Sequence, residues 1–247
     1  MTAHVAALWR HPIKSHGREA LDRVALTAGQ TMPWDRRWAV THEAAKTDGS
    51  AWAECVNFSR GAKAPSLMAL TAQSNEVSGQ VTLTHPDLGE IAFNPDSDPT
   101  AFLDWVRSIM PEGRAQSAGI VRVEDRGMTD TDYPSISLLN LASNDALSNE
   151  MSQDLSMNRW RGNIIIDGLA SWAEKDWIGK TLKIGTVTFD VREEITRCLA
   201  TTANPETGIR DADTLGALKA LGHQEFGVYA VVTRPGEIAV GDTIEVL

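Results

Sequence analysis

A mainly β fold with some α-helix is what this 247-residue sequence predicts. Two observations carry that prediction. Apolar residues recur with period two in stretch after stretch, and helical spacing is confined to a few short segments. Strands separated by turn signals point to a barrel or a sandwich, and the length accommodates one large β domain or two smaller ones.

Taken in order, "GQVTLTHPDLGEIAFNP" reads as strand, Pro-Asp-Leu-Gly turn and strand, with Val81, Leu83, Ile91 and Phe93 facing inward. "DPTAFLDWVRSIMPEG" reads as a helix behind an Asp-Pro-Thr cap, with Phe102, Val106 and Ile109 on one face and a stop at Pro111 and Gly113. "SNDALSNEM", from Ser143, is a short capped helix, and Ile164 to Ile166 form a buried strand. "KTLKIGTVTFDV" folds back on itself around Gly185. "DTLGALKALGH" spaces Leu215, Leu218 and Leu221 helically, and "FGVYAVVTRPGEIAVGDTIEVL" closes the chain with strands joined by Pro-Gly and Gly-Asp turns. The polar stretch after Met110 marks a boundary. It predicts a smaller N-terminal β-rich domain over residues 1–112 and a C-terminal barrel over 113–247.

Composition narrows the function classes. The formal net charge is −10, which repels phosphate polymers and argues against nucleic-acid or membrane-surface partners. No apolar run approaches the ~20 residues of a bilayer span, and the N-terminus lacks the charge and apolar core of a secretory signal. Two cysteines do not make a disulfide framework, so a reducing cytoplasm is the expected setting.

Cations nevertheless gather in three places. "LWRHPIKSHG" offers Arg10, His11, Lys14 and Ser15; "MPWDRRWAVTHE" offers Arg36 and Arg37; "MNRWRGNIIIDG" offers Arg159 and Arg161 just before a buried strand. A guanidinium next to a buried strand needs an anion, supplied either by the chain's own carboxylates or by a bound phosphate. The thiols divide differently. Cys198 follows Arg197 and precedes the turn Asn204-Pro205-Glu206-Thr207-Gly208, and is open to three readings: small core residue, nucleophile or metal ligand. Cys55 reads as core or incidental.

Several chemistries drop out. There is no Walker loop, GxGxxG, Gly-x-Ser-x-Gly elbow, Cys-x-x-Cys or second histidine after "HEAAKTDG", and two cysteines cannot hold a four-thiolate cluster. A Cys–His hydrolase pairing Cys198 with His223 or His42 stays open at this point.

The motifs also fall in a telling order: "HPIKS", "DRRW", "RWRGNIIIDG", "WIGKTLKIG", "RCLATTANPETGIRD" and the terminal "FGVYAVVTRPGEIAVGDTIEV". Together they resemble the MOSC family, the molybdenum cofactor sulfurase C-terminal domain, preceded by its associated N-terminal β-barrel. In layout they are similar to the mitochondrial amidoxime-reducing component and its bacterial relatives. The resemblance implies a MOSC-type β-barrel and a molybdenum cofactor, with Cys198 as metal ligand. It implies cofactor contacts from Lys14, Ser15, Arg36, Arg161 and Asn163, from Asn140 and Ser143 in "YPSISLLNLAS", and from Thr201 and Thr202 beside the metal. It further implies reduction of small N-hydroxylated substrates with electrons from an external donor protein, or alternatively a cofactor carrier or persulfide sulfur-transfer protein. Gly162 stands where the family's third motif usually has proline, which predicts a looser backbone there, and Asn204 where relatives often carry Asp.

Overall fold

The computed structural model describes residues 2–247. The largest sheet is a curled, eight-stranded one that draws on both ends of the chain. Its strands are β1 (His4–Arg10), β3 (Glu19–Leu21), β10 (Ile136–Asn140), β11 (Ile164–Asp167), β12 (Thr181–Ile184), β13 (Val187–Thr196), β14 (Glu225–Arg234) and β16 (Ile244–Val246). They lie in the order β16-β12-β13-β14-β10-β11-β1-β3, antiparallel except for β10 against β11. A two-stranded ribbon pairs β4 (Arg23–Leu26) with β15 (Gly236–Ala239), tying the N-terminal segment again to the C-terminal one. The rest comprises β2 (Ile13–Lys14) and β9 (Ser117–Val121) on either side of β5 (Trp38–His42), and a meander of β6 (Thr71–Asn75), β7 (Gln80–His85) and β8 (Gly89–Phe93).

The period-two pattern explains the cores. Leu138, Ile164, Ile166, Phe189 and Val228 fill one face of the large sheet, while Leu139, Ile165, Trp160 and Phe226 fill the other. Ile164 to Ile166 are apolar throughout because both faces of β11 are covered. In the meander Val81, Leu83 and Phe93 are buried as expected and Ile91 is half-buried. They pack on Phe102 and Val106 of α1 (Thr100–Arg107), where the Phe93 and Phe102 rings stack at 4.7 Å. That helix starts at Pro99 without a side-chain cap, and Ile109 lies beyond its end. The second helix, α2 (Leu141–Met151), begins earlier than the sequence suggests because Asn140 is its cap, accepting the Ala142 N–H. α3 (Thr214–Ala220) is capped by Asp213 and buries Leu218 but leaves Leu221 exposed. Among the described residues no helix is long and apolar enough to cross a membrane.

Glycine acts here through close approach. A Cβ on Gly162 would collide with Leu139, so the residue that replaces the expected proline makes tight packing rather than slack. Gly227 presses on the same leucine from β14 at φ +78, where a side chain is disfavoured.

Candidate functional site

The three basic segments converge on one cavity of about 250 Å³, lined by Lys14, Ser15, Arg36, Arg159, Arg161 and Arg197 together with Cys198. Two strands and a turn deliver most of them: Lys14 ends β2, Arg197 follows β13, and the 3-10 turn Met157–Trp160, capped by Arg161, brings Arg159 and Arg161. A second 3-10 turn, Leu199–Thr202, starts directly after Cys198 and contributes Thr201. The opposite wall comes from residues 55–68, with Cys55, Arg60 and Met68. That wall is pinned to the Cys198 segment by Arg210, which donates to the Ala62 carbonyl at 2.8 Å, and by Gly208, whose missing Cβ makes room for the Ser66 backbone.

Backbone strain is concentrated at this cavity. Of the six described non-glycine residues with positive φ, Ser15 (64°), Arg36 (50°) and Arg161 (51°) all line it. Each such conformation costs on the order of 1–2 kcal/mol, and it persists where the surroundings over-determine it. For Arg36 the clamp is visible: its N–H donates to the His11 carbonyl and its carbonyl accepts from Met128, both at 2.7 Å.

The cations are incompletely neutralised. Arg36 pairs with the buried Asp35, which also accepts the His11 N–H at 2.8 Å, and donates to the Arg161 carbonyl at 2.9 Å. Burial pushes the Asp35 carboxyl up, but Arg36 and then His11 outweigh it and hold the group well below the usual carboxylate range. Lys14 donates to the Met128 carbonyl at 2.8 Å and pairs with Asp130, whose carboxylate is half-exposed. Arg161 has no carboxylate within ion-pair distance. One of its terminal nitrogens donates to the Gly17 carbonyl at 3.0 Å and the other, Nη1, is buried without a partner. Burial, with Arg36 and Arg18 alongside, pulls Arg161 down to about 9, still cationic at neutral pH. Arg159 pairs with Asp211 at 2.7 Å, yet its Nε is also buried and unpartnered. Arg159 and Arg161, both lining this cavity, thus each hold one orphaned donor, and leaving such a group unbonded costs about 1–3 kcal/mol.

Arg197 has another job. Each of its three side-chain nitrogens donates to the carbonyl of Phe226 or Trp160 at 2.6–2.9 Å, beside rings that stack on one another at 3.9 Å, and this fixes the strand end that carries Cys198. Cys198 itself is exposed. Thr201 donates to the Cys198 carbonyl at 3.1 Å and pairs with the Thr214 hydroxyl at 2.8 Å.

Of the residues the sequence points to, Lys14, Ser15, Arg36, Arg161, Cys198 and Thr201 meet at the cavity; Asn140, Ser143, Asn163 and Thr202 do not line it. Asn140 and Ser143 instead donate to Glu174, a fully buried carboxylate, at 2.8 Å. Asn163 stands behind the wall, accepting from the Ser137 backbone N–H and hydroxyl, and Thr202 donates to the Leu199 carbonyl at 2.8 Å. The Asn204–Gly208 turn closes on itself and braces the wall at Ser66 without entering the cavity. Cys55, read as core or incidental, is in the wall, as are Asp130 and Tyr229, which no local pattern singles out. Among the described residues no histidine lines the cavity: His42 donates to the Val56 carbonyl and accepts the Ala44 N–H, and His223 packs on Trp172, so a Cys198–His dyad has no base. Among the described residues no three His, Cys, Asp or Glu side chains gather into a metal site, so a metal on Cys198 would draw its other ligands from a cofactor.

The curled β sheet and its basic cavity are those of a MOSC family member, since this chain belongs to that family by the match of two domain models. The MOSC domain model matches residues 125–245 and the MOSC N-terminal beta barrel domain model residues 2–119. Among curated proteins, mitochondrial amidoxime-reducing component 1 of Mus musculus is 29% identical over 150 residues, covering 56% of this chain and 43% of that protein. Molybdenum cofactor sulfurase of Drosophila grimshawi is 35% identical over 118 residues, covering 44% of this chain and 15% of its own length. The chain thus matches less than half the length of either relative. Among solved structures, the YUAD protein from Bacillus subtilis covers 100% of this chain and 96% of its own at 13% identity, with a TM-score of 0.48.

Proposed function

We propose that the cavity binds a molybdenum–pterin cofactor and that the chain reduces N-hydroxylated compounds, hydroxylamines and amidoximes, to amines with electrons from a separate carrier protein. The observation that carries this reading is the meeting of an exposed thiol with a basic lining whose guanidinium donors are partly orphaned, inside a chain of net charge −10. A pterin phosphate suits what the lining leaves over: the positive charge of Arg36 and Arg161 with the one unpartnered Arg161 nitrogen, Lys14 as a point charge, and the Ser15 hydroxyl. Cys198 is the soft ligand for the metal, which suits thiolate and dithiolene sulfur together. Once bound, the group supplies the two-electron reduction that removes the N-bound hydroxyl, while the protein supplies binding, orientation and access.

The chain's own side chains divide the remaining work. Asp130 balances Lys14 and is the carboxylate an incoming phosphate must displace. Burial pushes the Tyr229 hydroxyl up, so it keeps its proton at neutral pH and stands in the cavity wall as a donor. Two cysteines leave no room for a four-thiolate cluster in this sequence, hence the external carrier, and they suit a reducing compartment such as the cytoplasm.

One observation favours a second reading. Cys198 is exposed and shares its cavity with a second thiol, Cys55, an arrangement that suits sulfur relay. Molybdenum per chain, measured by elemental mass spectrometry on protein from a cofactor-producing host, separates the cases. Near-stoichiometric metal that is lost in Cys198→Ala, with turnover of a hydroxylamino compound under chemical reductant, is the expected result. Metal without turnover, or metal retained in Cys198→Ala, moves the assignment to a carrier. A cyanide-labile sulfur moves it to sulfur transfer. No metal in either protein removes the cofactor altogether.

A further inference from the structure

Behind the Cys55–Ala64 wall lies a second cleft, of about 500 Å³, whose surroundings are unlike the rest of this acidic chain. Four cations line it, Lys46, Arg60, Lys63 and Arg114, and no carboxylate does. None of the four takes part in an ion pair among the described residues. With 33 acidic residues against 23 basic ones, a carboxylate-free cleft holding four cations is a directed arrangement, and its field draws anions. Glu43, the residue after β5, accepts the Gln116 backbone N–H at 3.3 Å and does not line the cleft.

Beneath the cations the floor is apolar. Phe58 and Ala64 are buried there at 1% exposure each, next to Met110, with Val56 at the rim. The histidine in the wall is already engaged: His42 Nε2 bonds the Val56 carbonyl at 2.8 Å and Nδ1 accepts the Ala44 N–H at 3.2 Å. Arg60 is not. It is half-buried, and its one side-chain partner is the Cys55 sulfur at 3.0 Å, a weak acceptor that leaves most of the guanidinium free. Arg60 also lines the Cys198 cavity, so it is a shared post between the two spaces.

We propose that this cleft is a binding site for a small organic anion with an apolar body, of the aryl carboxylate class. The ring lies on Phe58 and Met110, and the carboxylate is shared among Arg60, Lys63 and Arg114. A bare inorganic anion would leave the apolar floor unused, and a neutral ring would leave the cations unpaired. The site does not depend on the cofactor reading, because none of Lys46, Lys63 or Arg114 lines the Cys198 cavity.

Titration calorimetry on the full chain with benzoate as probe tests the assignment, run in parallel on Cys198→Ala. Benzoate should bind both proteins equally, with benzamide and inorganic phosphate at least about tenfold weaker, the equivalent of ~1.4 kcal/mol. The double variant Lys63→Glu/Arg114→Glu, which changes only exposed side chains, should weaken benzoate by at least tenfold and remove its salt dependence. Equal binding of benzoate and benzamide would overturn the charge assignment, and phosphate that displaces bound benzoate at equal concentration would overturn the apolar one. Unchanged benzoate affinity in the double variant would overturn the location. A melting curve for the double variant matching the parent's keeps a negative result from being misread as unfolding.

Discussion

Two histidines make the protein acid-labile well above the carboxylate range. His11 and His16 are both fully buried, and burial, reinforced by Arg161 and for His11 also by Arg36, lowers them to about 3 and about 4. Asp35 beside His11 pulls the other way but does not win. An unfolded histidine titrates near 6.5. Between that value and the folded ones the unfolded chain binds two more protons than the folded chain, so stability is full above ~6.5 and falls as the pH drops. Integrated from pH 7 to pH 5, each histidine costs about 2 kcal/mol, about 4 kcal/mol for the pair. That is a large share of the 5–15 kcal/mol typical of a domain. Urea denaturation at pH 7, 6 and 5 reads it directly. His16 is the better handle, because its ring bonds only the Lys14 carbonyl, at 2.8 Å, leaving Nε2 buried and unpartnered. In His16→Gln the loss over the same interval should drop by about half. Equal stability at pH 7 and pH 5, or an unchanged loss in His16→Gln, would refute the assignment of neutral buried imidazoles.

Arg161→Met should raise the stability of the cofactor-free protein by roughly 1–3 kcal/mol, since a half-buried cation without a carboxylate partner is replaced by an apolar chain of similar length. The same change should abolish molybdenum retention, and a variant that is both destabilised and fully loaded would contradict the anion-site reading. Ser143→Ala strips the Glu174 carboxylate and the Trp172 N–H of a partner. A loss of about 2–3 kcal/mol in chemical denaturation is expected, with metal content per folded chain unchanged. Loss of metal at unchanged stability would mean that Ser143 contacts the cofactor after all.

What the sequence discloses about this site follows from what each residue's neighbours are. Arg36, Arg161, Lys14 and Ser15 stand in compact motifs whose spacing is local, so they are legible without a fold. Asp130, Tyr229, Cys55 and Arg60 come to the cavity through pairings between β10 and β14 and through the packing of residues 55–68 on 198–210. No window of sequence contains those contacts. Asn140 and Ser143 are ligand candidates only through the family resemblance of "YPSISLLNLAS"; their partner in the structure is Glu174, some thirty residues away, and only the fold reveals it. Gly162 teaches the same lesson from the steric side. Its role is set by Leu139, and neither residue's own propensity announces the contact. Strand content was easier to read, since period-two patterning is itself local, though the capture of β1 and β3 by the C-terminal strands was not.

That capture governs when the cavity comes into being. Its walls run from Lys14 to Tyr229, and β1, the strand that leads to Lys14, is held in register by β11, more than 150 residues later in the chain. During synthesis, which adds residues from the N-terminus at roughly 5–20 per second, the first basic motif emerges early and waits for most of the chain before it has a sheet to join. The cavity is therefore among the last features to be completed on the ribosome. A cofactor that requires both the Lys14 segment and Cys198 can be taken up only once the strands from β1 to β14 have come together, and loading becomes a proofreading of that pairing.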